Sequence, residues 1–317
     1  MSVIETYSGR KAHAVTGAFG FTGKYLARRL LDAGHSVVTL TGSPNRPHPF
    51  AGSVEARPFA FSDVPAMAES LKDVAVLYNT YWVRFNHASF SHANAVRNTL
   101  ALFEAAQIAG VERIVHISIT NADSKSPLEY FSSKGHLENA LKASGLSYAI
   151  VRPAVLFGPE DILINNIAWA LRRFPVFSVF GDGRYHMQPV FVDDLAAIMA
   201  EQGAERGNVT MNALGPEDFH YRDLVDMIAG ALGKKRRLIS VTPRQGAFAA
   251  RLLGKLLGDV LLTREEIDGL TTNLLHVPGA EPTGTTRLSD WVWENRAALG
   301  RVYHSELDRR LHREKAY

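Results

Sequence analysis

Tyr130 and Lys134 stand four residues apart in the run Tyr130-Phe131-Ser132-Ser133-Lys134. On a helix, that spacing puts both side chains on one face. A phenol that exchanges a proton near neutral pH needs its pKa, about 10, brought down, and a neighbouring ammonium favours the phenolate. Tyr and Lys meet at this spacing often by chance, so context gives the pair its weight. It opens a predicted helix, Tyr130 to Ala143, which follows a predicted strand over Arg113 to Ser118. That strand runs out through Ser118-Ile119-Thr120, supplying hydroxyls at its carboxyl edge.

A second constellation lies near the start of the chain. Thr16-Gly17-Ala18-Phe19-Gly20-Phe21-Thr22-Gly23 has the spacing G-x-x-G-x-x-G, between a predicted strand (Ala12 to Thr16) and a predicted helix (Gly20 to Ala33). One glycine makes the tight turn, one lets backbone approach a pyrophosphate, and one lets the helix pack closely on the strand. Amides at the helix start then meet the phosphates, helped by the helix dipole. In this place the spacing predicts a dinucleotide site. NAD-preferring sites put an acid at the end of the second strand, on the ribose 2′-hydroxyl. Here that strand ends Thr39-Leu40-Thr41-Gly42-Ser43, without one. Beside Thr41, the residues Ser43, Asn45 and Arg46 are candidates for a 2′-phosphate, which a guanidinium binds well. The alternative for Arg46 is an ordinary exposed loop arginine. The missing acid favours NADP(H) over NAD(H).

The elements that must position these groups alternate strand and helix. Further strands are predicted at His35–Thr41, Val54–Phe59, Val74–Asn79 and Tyr148–Arg152, with helices over Asp63–Leu71 and Ser91–Ile108. Such alternation predicts an α/β fold with a parallel sheet covered on both faces, its ligands at the carboxyl ends of the strands. After Gly158 the pattern loosens. Helices are predicted over Asp161–Arg173, Asp193–Glu201 (with Asp193 as N-cap), Tyr221–Leu232 and Arg287–Leu299. Strands are predicted at Val176–Phe180, Pro189–Val192 and Val209–Asn212, and Thr263-Arg264-Glu265-Glu266 reads as a capping box.

Taken together, Thr16 to Gly23, Ser118 to Thr120, Tyr130 with Lys134, Arg152 to Pro159, Gly181-Asp182-Gly183 and Pro189 to Asp194 resemble the extended short-chain dehydrogenase/reductases, the NAD-dependent epimerase/dehydratase-like group. The resemblance covers about Ala12 to Ala197. It implies a doubly wound Rossmann core over residues 1–160, with a later segment near 189–212 returning to it. It also implies a small C-terminal α/β substrate lobe, mainly 161–317. It implies a Thr120–Tyr130–Lys134 catalytic set, with Ser118 structural. By the same resemblance, Pro153 to Leu156, including Val155, line the nicotinamide, and Tyr78 to Tyr81, including Asn79, Thr80 and Tyr81, flank the cofactor ribose. Asn165, Asn166 and Trp169 fall where family members begin to grip substrate, with Tyr81 and Thr120 beside it. Departures narrow the chemistry. Asn121-Ala122 replace the acidic pair of the dehydratases, and Met187 stands near the place of the arginine that holds a nucleotide-sugar diphosphate.

Composition sets the outer limits. The 317 residues suffice for one large domain plus a lobe, and 46% hydrophobic with 21% charged residues is ordinary globular usage. A net charge of +3 favours anionic ligands without requiring nucleic acid. The absence of cysteine excludes disulfides, thiolate metal sites and cysteine nucleophiles, and no metal site is expected. No uncharged apolar stretch is long enough to span a bilayer, and Met1 to Val15 lacks the apolar run of a signal peptide. A soluble cytoplasmic protein is expected, with a small-molecule substrate and, by family analogy, a homodimer. The basic runs Lys234 to Arg237 and Arg309 to Lys315 read as solvated surface. Tyr81, Trp82, Phe85, Trp169 and Phe180 read as an aromatic surround or as packing between lobe and core. The apolar run Phe248 to Leu262 reads first as a lobe core helix, with a lid, a subunit contact or a membrane-surface helix as alternatives.

Three functions fit. The first is hydride transfer between NADP(H) and a secondary alcohol or ketone, with Tyr130 exchanging the proton, Thr120 orienting the oxygen and Lys134 on the ribose. The second is an NAD-dependent epimerase with retained cofactor. The third is a non-catalytic dinucleotide-binding assembly protein.

Overall fold

A computed structural model of the protein describes residues 11–313 and 315. Most of the Met1 to Val15 segment considered above therefore lies outside the described residues. The first half lays down β1 (Ala12–Thr16), α1 (Phe21–Asp32), β2 (Val37–Thr41), β3 (Val54–Pro58), α2 (Val64–Ser70), β4 (Val74–Asn79), α3 (His92–Ile108), β5 (Arg113–Ile117), α4 (Glu129–Ala143) and β6 (Ser147–Pro153). The second half adds β7 (Leu156–Phe157), α5 (Leu163–Arg173), β8 (Val176–Phe180), β9 (His186–Met187), β10 (Val190–Phe191), α6 (Val192–Ala204) and β11 (Val209–Ala213). It closes with β12 (Phe219–His220), α7 (Tyr221–Ala231), β13 (Arg237–Val241), α8 (Pro243–Leu257), α9 (Arg264–Thr271), α10 (Leu288–Asn295) and α11 (Glu306–Leu311).

Seven strands form one sheet in the order β11-β6-β5-β4-β1-β2-β3, every neighbouring pair parallel. Both faces are covered, which is why these strands read as apolar runs rather than alternating ones. On one face Leu26 and Leu30 of α1 join Leu195 and Met199 of α6 over Val15 and Val115. On the other, Met67, Leu102 and Leu137 from α2, α3 and α4 cover Leu40, Leu77 and Ile114. The chain runs outward from β1 and then returns to β4, so a crevice opens between the ends of those two strands, the usual ligand place in such sheets.

The lobe has a core of its own. Ile167 and Leu171 of α5, Leu224 and Ile228 of α7, Ile267 of α9 and Trp291 of α10 meet there, beside a parallel pair made of β8 and β13. Thr263 and Glu266 form the capping box that opens α9.

Three sequence expectations are corrected. Asp193 does not cap α6: Phe191 stands at the N-cap, and Asp193, in the first turn, takes a bidentate pair from Arg29 at 2.8 Å that ties α6 to α1. The strand expected at Pro189–Val192 shrinks to Val190–Phe191, paired with β7 outside the main sheet. The helix expected to reach Leu299 stops at Asn295, with a turn beyond it.

Candidate active site and cofactor cleft

The glycine loop crosses from β1 to α1 at the crevice. Gly17 has φ +69°, a left-handed conformation that side chains rarely adopt. A Cβ on Gly23 would lie 2.2 Å from the Gly17 carbonyl oxygen, so helix and turn touch there through bare backbone. Helix α1 opens after the N-cap Gly20 with no side-chain cap and no acid in its first turn, so the positive end of its dipole meets the crevice, which fits the pyrophosphate of a dinucleotide. Below the loop, Thr16 and Asn79 brace the β1 and β4 ends: Thr16 Oγ1 donates to Asn79 Oδ1 at 3.1 Å and accepts from the Thr80 amide at 2.8 Å.

A cavity of about 1020 Å³ begins at this loop. Gly17, Phe19, Gly20, Phe21, Thr22, Gly23, Thr41, Ser43 and Arg46 line it, as do Thr80, Tyr81, Pro153 and Val155. Beyond β3 it is walled by Phe59 and Phe61, with the Phe61 ring 4.9 Å from that of Tyr81, a platform suited to a flat base. Asp63, the next acid along the chain, caps α2 by accepting from the Ala66 amide.

The C-terminal basic run is only in part the solvated surface expected: Arg313 and Lys315 are exposed, yet Arg309, Arg310 and Arg313 all line the cavity. Arg46 Nη2 donates to the Arg309 carbonyl at 2.7 Å and its Nε to that of Lys315, clasping the C-terminal segment. A Cβ on Gly42 would lie 3.7 Å from Arg313 Nη1, which places that guanidinium at the end of β2. Proximity across more than 250 residues leaves no local signal in the sequence.

Tyr130 and Lys134 lie in α4 and both line the cavity. Lys134 is 1% exposed; its Nζ donates to the Ile117 carbonyl at 2.7 Å and sits 4.2 Å from the Trp82 ring centre. Burial brings its pKa down to about 7, with Glu138 pulling the other way. The Tyr130 ring meets Trp82 and His92 edge-on, at 5.9 and 5.6 Å. Burial, and then the Glu266 carboxylate, push its phenol above the ordinary value, against Arg310 and Arg84. In this state the phenol is a proton donor, not a phenolate.

Both hydroxyls at the end of β5 are committed within the protein. Thr120 is fully buried, does not line the cavity, and donates to the Leu274 carbonyl at 2.9 Å. Asn121 donates to the Leu274 and His276 carbonyls, so the lobe segment 274–276 covers this strand end. Ser118 lines the cavity, and its hydroxyl donates to Glu138, itself paired with Arg152.

Three further site residues also fall outside the cavity wall. Asn79 is buried under it, bonded to Thr16 and His116. Asn165 serves α5, donating to the Gly158 and Pro159 carbonyls and to Asp161. Trp169 packs against Phe174 and Tyr303. Asn166 does line the cavity, while its amide group bonds the His304 backbone. Of the aromatic surround, Tyr81, Trp82 and Phe180 line it and Phe85 does not. Met187, at the place of the sugar-diphosphate arginine, is fully buried.

Past Tyr130 the cavity continues into the lobe, where Leu163, Phe177, Ala250, Leu253, Leu262 and Leu275 give it a hydrocarbon wall. The sequence singled out Ala250, Leu253 and Leu262 only as part of the apolar run 248–262, and the other three come from separate elements with ordinary core composition.

A family model described as NAD(P)H-binding matches residues 17–164. The chain is 25% identical over 279 residues to the mitochondrial NADH-ubiquinone oxidoreductase 40 kDa subunit of Neurospora crassa, covering 84% of this chain and 73% of that one. It is 28% identical over 251 residues to the ceramide reductase of Caulobacter vibrioides, covering 76% of each. Among solved structures, the NADPH-dependent quinone oxidoreductase of Escherichia coli shares the fold, with a TM-score of 0.72 at 22% identity over 89% of this chain and 99% of that one.

Proposed function

The chain belongs to the NAD(P)H-binding extended short-chain dehydrogenase/reductases, and from that premise we propose that it is an NADP(H)-dependent reductase of a ketone to a secondary alcohol. The observation that carries this reading is that the glycine loop and the Tyr130–Lys134 pair wall one continuous cavity. Bound NADP(H) supplies the hydride. The α1 amides hold the pyrophosphate, Phe59, Phe61 and Tyr81 flank the adenosine, and Pro153 and Val155 back the nicotinamide. Tyr130 gives its phenol proton to the carbonyl oxygen as the carbonyl carbon is reduced, and a proton from solvent restores it. A phenol held neutral by burial suits that direction. Both nearby hydroxyls are engaged, Ser118 on Glu138 and Thr120 on the Leu274 carbonyl, so Tyr130 is the hydroxyl placed to touch the substrate oxygen. Arg313, with Arg46 behind it, supplies positive charge where a 2′-phosphate falls, and this supports NADP(H) over NAD(H).

Fluorescence titration with NADPH and NADH, after a check for copurified nucleotide, tests the cofactor side. NADPH binding well above NADH, followed by NADPH oxidation on a ketone panel, is the expected result. Tightly retained NAD with no net absorbance change shifts the assignment to an epimerase. Binding of neither overturns the reading.

A second reading is favoured by one contact. Because the Thr120 hydroxyl is taken up by Leu274, the chain also fits a dinucleotide-binding subunit without turnover, and the fungal relative carries the name of an oxidoreductase subunit. A stable partner in pull-down, together with no NADPH oxidation on any carbonyl, decides for it.

A further inference from the structure

Helix α8 turns three large apolar side chains to solvent. Phe248, Leu252 and Leu256 are 71%, 56% and 79% exposed, and recur every fourth residue as one ridge. Arg244, Arg251 and Lys255 lie exposed beside the ridge, and α8 contains no acidic residue. The other side of the helix is committed to the lobe. A Cβ on Gly246 would fall 2.2 Å from the Phe180 ring, and one on Gly254 would fall 2.6 Å from the Asp259 carbonyl oxygen. Ala250 and Leu253, on that inner side, line the cavity. Strand β8 packs on α8, and Phe174 and Val176 at its start are more than a third exposed while also lining the cavity. The hydrocarbon wall of the cavity thus comes to the surface next to the ridge.

An apolar ridge on a helix whose own charges are all positive matches a lipid surface with anionic headgroups: the ridge enters the acyl boundary and the basic groups meet the phosphates. A protein partner would have to match the ridge with a hydrophobic patch ringed by acids. We propose that α8 docks this protein on an anionic membrane surface, setting the mouth of the cavity against the lipid. No helix among the described residues is long and apolar enough to cross a membrane, so the contact is interfacial. If the reductase reading holds, on which this extension rests, the substrate is an apolar ketone taken up from the lipid phase.

Cosedimentation of the full chain with vesicles tests the docking. The chain should sediment with phosphatidylcholine–phosphatidylglycerol vesicles at low salt, and less with phosphatidylcholine alone. The triple variant Phe248→Ser, Leu252→Ser, Leu256→Ser should lose binding by about tenfold or more. Its NADPH titration should be unchanged, since none of the three lines the cavity. Arg251→Glu with Lys255→Glu should remove the anionic preference and the salt dependence. Failure to sediment, or equal sedimentation of the triple variant, overturns the proposal. So does a dimer by light scattering that the triple variant turns into a monomer, which makes a second copy the occupant. Vesicle binding with no turnover of any vesicle-borne ketone keeps the docking and overturns the reductase reading, with its substrate class.

Discussion

The two walls of the cavity are built from different materials. On the sheet side, Gly17, Gly20 and Gly23 present main chain, and the contacts that shape the wall are backbone ones, such as the Gly20 amide on the Gly17 carbonyl at 2.8 Å. On the lobe side, Phe177 of β8, Leu253 of α8 and Leu262 of the loop before α9 present hydrocarbon. A backbone wall tolerates few residue types, because a single Cβ on Gly23 would collide with the turn. A hydrocarbon wall tolerates many, because volume and apolarity are all it asks. The first suits a ligand that never changes; the second can be retuned to different substrates on the same scaffold. Tyr130 and Lys134 stand where the two walls meet.

Four measurements sharpen or break this contrast. Tyr130→Phe removes the proposed proton donor at the junction and leaves both walls intact. Turnover should fall by roughly 10²–10⁴-fold with NADPH affinity nearly unchanged; unchanged turnover would remove Tyr130 from the chemistry. Arg313→Ala touches the cofactor end alone. A charge-assisted bond to phosphate is worth about 1.5–3 kcal/mol, so NADPH affinity should fall by tenfold or more while NADH affinity stays put. Equal loss for both nucleotides would mean that the C-terminal segment closes the cleft without reading the phosphate.

Lys134 gives a pH signature. Its pKa is about 7 when folded against 10.5 ordinarily. Between those values the unfolded chain binds a proton that the folded one has released. Stability should therefore rise with pH across that window, by up to about 1.4 kcal/mol per unit, and the gain should vanish below about 7. Thermal melts of Lys134→Met should show a flatter profile; an unaltered slope would assign it to other groups. The smallest effect is expected at Thr120. If its hydroxyl only holds the 274–276 segment, Thr120→Val should lower stability by about 1 kcal/mol and turnover little. Collapse of turnover at unchanged stability would restore Thr120 to the catalytic set.

Much of the sheet side was legible because its signals are local. Glycine spacing, the absent acid after Leu40 and the four-residue step from Tyr130 to Lys134 all lie within single turns or elements, where covalent geometry converts spacing into position. The parallel sheet followed from alternation alone. Which hydroxyl-bearing residue at the end of β5 lines the cavity was not legible, for the opposite reason: Thr120 is covered by Leu274, more than 150 residues away, while Ser118 reaches the wall. Asn165 and Trp169 sit at the expected place in the chain, yet their side chains turn into lobe packing.

By itself, then, the sequence determined a dinucleotide loop and a Tyr–Lys pair on a doubly wound core, since each is a local pattern with few physical solutions. Tertiary structure decided what surrounds them: the arginines folded back from the C-terminus onto β2, the hydrocarbon wall gathered from α5, β8 and α8, and the apolar ridge left in solvent on α8. Those features arise where distant segments meet or fail to meet. No window of residues encodes such a meeting, because it is set by how the lobe packs as a whole.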